Sequence, residues 1–449
     1  MTGVRSLVRR AVAGHDFARA ALTIVAGAGA AQVIVVASSP ILTRLYSPSD
    51  YGIYAAATSI LVVSSIACLR YDFAIPLPAD DVAGANLLAL SLVVNFATTL
   101  VVAVALLAFG PWLLGLLGAQ ALGPYVVLLV LAQFGSGVVS ALVNWAVRTK
   151  AFSEIGINRL LQSGGLATTQ VGLGILGFGA PGLVLGALAG SVAGSTRLAR
   201  AAWRSGGSAF RRVSLPGVFA VARRYRRFPL VSSWSALLAA LALRAPLLVL
   251  LLFYGTAVGG QYALAERVLY LPLTLVAGAV GQVFIADGAR LARDRPEELR
   301  RLFRRTTWSL AGVALVPALG IAVITPLLAG PVFGERWSEA GVYVAILVPM
   351  FYAAFVITAT GDILYVVERQ GLQLARELLR LAFLGGSVVI ASGLHLAPVL
   401  AVGALSLGGC AMYVIYGLIS WRALVTYRPG AGHQPGEAPF EPDLTPVEF

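Results

Sequence analysis

The chain has 449 residues, 58% hydrophobic and 12% charged, with a formal net charge of +13 and a mean hydropathy of +0.85. Those proportions exclude an ordinary soluble domain, whose charged fraction is roughly twice as large, and the apolar residues fall in runs of about 20, enough to cross the hydrocarbon core of a bilayer. Two cysteines and three histidines without ligand-like spacing offer neither a disulfide framework nor a metal site.

In chain order, residues 1–19 interleave Arg5, Arg9, Arg10 and Arg19 with Val, Ala and Phe, the pattern of an amphipathic segment lying on the cytoplasmic face. They have the outline of a signal peptide, but the apolar run that follows continues past Val36-Ala-Ser-Ser39 through Ile41 and Leu42, so the segment is expected to stay. Apolar runs then predict twelve spans, at 20–43, 51–69, 84–109, 122–146, 157–178, 181–199, 230–253, 260–286, 306–329, 340–364, 375–394 and 397–421. The fold class is therefore an all-α polytopic membrane protein. A basic cytoplasmic linker at 200–229, in which Gly206, Gly207 and Pro216 are expected to break any continuous helix, separates an N-lobe of six spans (20–199) from a C-lobe of six (230–421). The tail 422–449 is rich in Pro and Gly from Arg428 onward and lacks the apolar content to fold.

Charge sets the orientation. With the amino terminus inside, 29 of the 33 Lys and Arg fall on inside segments, only Arg44 and Arg336 on outside loops, and Arg244 and Arg267 within spans. The positive-inside rule then places both termini in the cytoplasm. The positive charge is thereby accounted for by topology and contact with anionic lipids, and nucleic acid is not an expected partner.

The two halves repeat. Tyr46, Gly52, Tyr54, Ala55 and Ala57 recur at one fixed offset as Tyr254, Gly260, Tyr262, Ala263 and Ala265, each set ending one span and opening the next. Six crossings lie between the copies, so orientation is kept and the pseudo-twofold axis runs along the membrane normal, as in transporters built from parallel repeats. The small residues abundant in the spans suit close helix packing in lipid, and Pro40, Pro246, Pro272 and Pro349 are expected to kink their helices.

Ionisable groups inside the membrane cost about 2.5–3.5 kcal/mol or more each, so they point to function. Arg244, Glu266 and Arg267 fall at one depth in consecutive spans. Two readings stand together: an Arg244–Glu266 pair bracing the second lobe, and a cationic wall on a water-filled cavity with Arg267 left for an anion. Arg44 beside the Ser47-Pro48-Ser49-Asp50 turn, and Arg70 in Arg70-Tyr71-Asp72 at the inner face, are further cationic candidates. Asp72, Asp362 and Glu266 are the candidates for ion coupling or structural pairing. The polar residues Asn95, Gln133, Asn144, Gln170 and Gln282 complete the set, and tyrosines 46, 51, 54, 254 and 262 suit an interfacial aromatic belt. No Ser/His/Asp arrangement, HExxH or GxxxxGK[ST] occurs, so the chain is not expected to be an enzyme.

Leu42-Thr-Arg-Leu-Tyr-Ser-Pro-Ser-Asp-Tyr-Gly-Ile-Tyr54, followed by Leu69-Arg-Tyr-Asp-Phe-Ala-Ile-Pro-Leu-Pro78, resembles polysaccharide biosynthesis proteins of the O-antigen flippase type, within the multidrug/oligosaccharidyl-lipid/polysaccharide exporter superfamily. The resemblance implies a flippase for an undecaprenyl-pyrophosphate-linked glycan in the bacterial inner membrane. It also implies a cavity between two six-helix lobes, coupling to a proton or sodium gradient without a bound cofactor, and a polysaccharide polymerase and chain-length regulator as partners. Arg267 fits the eighth-helix cavity arginine of the related lipid II flippases, and Arg70 matches less well. The alternatives are lipid II flipping, against which no arginine lies in the middle of the first span, and cation-coupled drug export, for which no acidic residue lies deep in the first lobe.

Overall fold

A computed structural model describes residues 27–61, 66–361, 363–367 and 369–427, and among these it is helical with no strand. The expected segment 1–19, Asp362 and most of the tail lie outside the described residues. Eight of the described helices are long and apolar enough to cross a membrane, among them α1 (Gly27–Leu45). After α1 come α2 (Pro48–Ile60), α3 (Asp81–Leu116), α4 (Val126–Arg148), α5 (Phe152–Ile175) and α6 (Ala180–Phe210). A short helix α7 (Leu215–Arg224) crosses to the second half.

There Ser233–Pro272 is broken at Gly255, where φ is 81° and ψ is 177°. These values belong to glycine and turn the chain back on itself, giving α8 (233–254) and α9 (256–272). The rest are α10 (Gly278–Asp294), α11 (Pro296–Phe333), α12 (Ser338–Gly361), α13 (Gln370–Arg380), α14 (Gly386–Gly393) and α15 (Pro398–Val425).

Several boundaries differ from the apolar runs for identifiable reasons. Near the expected span 51–69, α2 ends at Ile60 and a turn with left-handed Leu69 and Arg70 follows from Ile66. Across 260–286 and 375–394 the helices pass through π turns, at Leu273–Ala277 and Leu381–Gly385, so neither is one uniform helix. The helix at the third expected span of each half outruns its apolar core: α3 has 36 residues and α11 has 38, about 54 and 57 Å against roughly 30 Å of hydrocarbon. The expected break at Gly206 and Gly207 does not occur. The helix runs on to Phe210, because a Cβ at Gly206 would strike Trp145 and the glycine there lets α6 lie against α4.

The two halves meet through the repeated segment. At the end that carries Arg44 and Arg336, α2 packs across α9, and the contact is reciprocal. A Cβ on Gly52 would collide with the carbonyl of Thr256, and a Cβ on Gly260 with the carbonyl of Pro48. Gly52 and Gly260 are equivalents in the repeat, and so are Pro48 and Thr256. Only glycine permits backbones this close. Ser49 Oγ and Thr256 Oγ1, 2.8 Å apart, close the crossing with a hydrogen bond.

Around it lies a plug drawn from both halves, in which Leu42, Tyr46, Tyr51, Leu183, Leu264, Trp337 and Ala340 are all buried. Trp337 Nε1 donates to the Thr43 carbonyl at 2.8 Å, and its ring meets Tyr51 edge-on at 5.0 Å. Asp50 joins the local caps: it completes a capping box with Ser47 and accepts from the backbone N–H of Ala180 at 3.0 Å, tying the start of α2 to the start of α6. This arginine-poor end of the molecule is shut.

Candidate functional site: a cationic cavity between the halves

Beneath the plug is a cavity of about 330 Å³ whose walls come from both halves: Gln32 and Val35 of α1, Tyr51, Tyr54 and Thr58 of α2, Leu166 of α5, Arg244 of α8, and Glu266, Arg267 and Tyr270 of α9. Helix geometry explains why three ionisable groups share it. Arg244 lies eleven residues before the Gly255 joint and Glu266 eleven after it, so each hangs about 16 Å from the turn at 1.5 Å per residue. Two antiparallel helices leaving one tight joint bring equidistant side chains level. Arg244 Nη1 is 4.0 Å from Glu266 Oε2, and the two side chains are 35% and 17% exposed. Arg244 therefore keeps an open face toward the cavity while Glu266 is largely enclosed.

Arg267 is held from the other half. Its Nη2 donates to the Val35 carbonyl at 2.5 Å. That carbonyl lies in the last turn before α1 is interrupted at Ser38. Ser38 Oγ and Ser39 Oγ donate to the same oxygen at 2.9 and 3.2 Å. The Nε of Arg267 is buried without a hydrogen-bond partner, and the Tyr51 hydroxyl, which lines the same cavity, lies against the Arg267 guanidinium. A buried donor without an acceptor costs about 1–3 kcal/mol, and an anion entering the cavity would remove that cost.

The other candidates lie apart. Arg44 Nη2 donates to the Pro331 carbonyl at 3.2 Å, at the rim of the plug, where it joins the halves from outside. Arg70 adopts a left-handed conformation, φ 61°, and its guanidinium sits 4.0 Å from the centre of the Phe73 ring. Asp72 is buried in the first half and accepts from Ser140 Oγ at 2.5 Å. Gln170 is buried and donates to the Leu183 carbonyl at 3.0 Å, and Asn144 donates to the Ser140 carbonyl at 3.0 Å. These are contacts within the first half. Among the described residues no group of three or more His, Cys, Asp or Glu could hold a metal ion.

A second charged cluster falls at the start of the expected span 375–394. Arg376 Nη2 lies 2.7 Å from Glu377 Oε1 and its Nη1 donates to the Tyr416 hydroxyl at 2.8 Å. Arg380 Nη1 lies 3.7 Å from Glu377 Oε2, and its Nη2 donates to the Tyr413 hydroxyl at 3.5 Å. All three ionised side chains are a quarter exposed or less, enclosed by α15. The available signal was the spacing of Arg376 and Arg380, one turn apart, opposite Tyr413 and Tyr416.

A family model described as polysaccharide biosynthesis protein matches residues 41–342. The chain belongs to that family. The matched stretch contains the plug, the reciprocal crossing and the whole cavity wall from Tyr51 to Tyr270. Among curated proteins, none matches.

Solved structures similar to it include an inward-facing multidrug resistance MATE family transporter of the MOP superfamily (17% identity, 90% of this chain and 94% of that one, TM-score 0.61). A second is the lipid II flippase MurJ in an inward closed conformation, with 11% identity, 88% of this chain, 87% of that one and a TM-score of 0.68. A third is a mutant of the Vibrio cholerae MATE transporter VcmN, with 15% identity, 95% of this chain, 98% of that one and a TM-score of 0.56. At these identities the likeness is one of fold, and it runs through nearly the full length of each chain. The polysaccharide family chain thus has the polytopic helical fold of MOP-superfamily transporters.

Proposed function

We propose that the chain is a flippase that moves a glycan linked to undecaprenyl pyrophosphate across the bacterial inner membrane, by alternating access between two six-helix lobes. The observation that carries this reading is the convergence of Arg244 and Arg267 on one cavity built by both halves, with Arg267 Nε lacking a partner inside it. A diphosphate carries multiple negative charge and accepts from guanidinium groups in bidentate fashion. The glycan would pass through the cavity while the polyprenyl tail stays in the bilayer. Membership of a polysaccharide biosynthesis family and a lipid II flippase among the fold neighbours favour a lipid-linked glycan over a soluble drug.

In this reading the lobes are 20–199 and 230–421, the linker 200–229 and both termini face the cytoplasm, and the plug around Trp337 is the periplasmic seal of an inward-oriented state. Reciprocal packing of Gly52 and Gly260 supports the two-lobe division, since equivalent residues make equivalent contacts. Opening the seal would separate α2 from α9. Glu266, Asp72 and Asp362 are the carboxylates through which a proton or sodium gradient would drive the cycle. Arg44 belongs to the seal and Arg70 to the inner boundary of the N-lobe. A polymerase and chain-length regulator would receive the product.

The test is glycan export in cells lacking the native gene. Arg244→Ala and Arg267→Ala are each expected to abolish export while the protein still inserts at normal levels. Full export by both variants would discard the cavity assignment.

A further inference from the structure

The connection between the halves concentrates cationic side chains around exposed apolar ones. Residues 197–229 hold nine arginines and no acidic residue. All nine are exposed, and the acidic neighbour described for them is Glu154, 2.7 Å from Arg197 and within electrostatic reach of Arg204. Within this stretch α7 is pinned to the first half by its inner side. Val221 is buried, the backbone N–H of Ser214 donates to Asn86 Oδ1 at 3.2 Å, and the Tyr71 hydroxyl donates to the Ala222 carbonyl at 3.3 Å. The outer side presents Leu215 and Phe219, 76% and 73% exposed. They lie four residues apart and therefore on one face, with Arg211 and Arg212 before them and Arg223, Arg224, Arg226 and Arg227 after.

Two short tethers fix where this face can be. Four residues separate Phe210, the end of α6, from Leu215, and three separate Arg224 from Phe228, where the next spanning stretch begins. Fully extended, the longer tether spans about 14 Å at most, so α7 cannot leave the depth at which its flanking helices meet the aqueous surface. Apolar prongs ringed by guanidinium groups at that depth match one medium, an anionic leaflet, in which the rings enter the acyl boundary and the arginines reach the phosphates.

We propose that the α7 strap is a docking surface for anionic phospholipid, with Leu215 and Phe219 as the inserted wedge and Arg211, Arg212, Arg223, Arg224, Arg226 and Arg227 as the headgroup contacts. The strap joins the halves, so the lipid it holds would set how far they part at the inner end. Membrane embedding is all the site requires; the identity of the transported molecule does not enter.

Trypsin reads the site directly, since it cuts after exposed arginines. The intact protein is reconstituted into nanodiscs of phosphatidylcholine alone and into discs with one-third phosphatidylglycerol, and nicking between Arg211 and Arg227 is timed. Attraction of arginines to an anionic surface predicts nicking at least about tenfold slower in the phosphatidylglycerol discs. It also predicts that the difference disappears in high salt and shrinks in a Leu215→Ser/Phe219→Ser variant that keeps every cleavage site. Equal rates in the two lipids would overturn the proposal without reference to any variant. Salt-insensitive protection would overturn it too, as would rapid nicking in anionic discs that slows only when an acidic soluble protein is added.

Discussion

Glu266 separates the two roles that the charged trio could serve. If the cavity receives a diphosphate, Glu266 opposes it, and Glu266→Gln should strengthen binding. At 4.0 Å two unit charges interact by about 4 kcal/mol at an effective dielectric near 20. Hydration of the partly open Arg244 side chain reduces that to about 1 kcal/mol. A carboxylate at similar range from a bound phosphate costs a comparable amount, so its removal should tighten binding about fivefold. Arg244→Ala deletes a charge-assisted contact of about 1.5–3 kcal/mol and should weaken binding roughly ten- to hundredfold. Titration calorimetry of the purified protein with geranyl diphosphate, a short-chain soluble stand-in, measures both. If Glu266→Gln weakens binding as much as Arg244→Ala does, the pair is a structural brace and the anion site lies elsewhere.

Three further outcomes follow from the closed end. Ser49→Cys combined with Thr256→Cys should cross-link under mild oxidant, because the native hydroxyl oxygens are 2.8 Å apart; the bridge should stop export and reductant should restore it, whereas no cross-link in native membranes would mean that this end rests open. Gly260→Leu should drive α2 from α9 and raise labelling of a cysteine at Ser49 by an impermeant thiol reagent, and unchanged labelling would refute the close crossing. Trp337→Ala removes a fully buried ring and its bond to the Thr43 carbonyl, and should lower thermal stability by about 3–5 kcal/mol in detergent; a loss under 1 kcal/mol would show that the plug is not packed as described.

Much of the fold can be read from the sequence because its signals are local or periodic. The repeat stands out because two tyrosines and a glycine recur together at one offset against a Leu/Ala background, and Gly52 and Gly260 form the crossing itself. The common depth of Arg244, Glu266 and Arg267 is also legible, since it needs only a turn position and a helical rise. What the sequence hides depends on partners far along the chain. Arg376 and Arg380 open an expected span without any sign of a partner, and their enclosure depends on the Tyr413 and Tyr416 hydroxyls of another helix. Arg267 reaches a carbonyl 232 positions away, beside an interruption of α1 at Ser38 that apolar periodicity does not show. Gly206 looks like a helix breaker, yet it lies within a helix, and the indole of Trp145 fills the space a side chain would take.

The crossing of α2 and α9 has one more consequence. Each half supplies the same donor surface and the same receiving surface, so the joint is self-complementary in the manner of a twofold dimer. A gene encoding one half alone would already hold the glycine and the facing carbonyl with which two copies could cross. Fusion of two copies would then have added a tether and freed the later half to acquire its arginines, while the latch itself stayed as inherited.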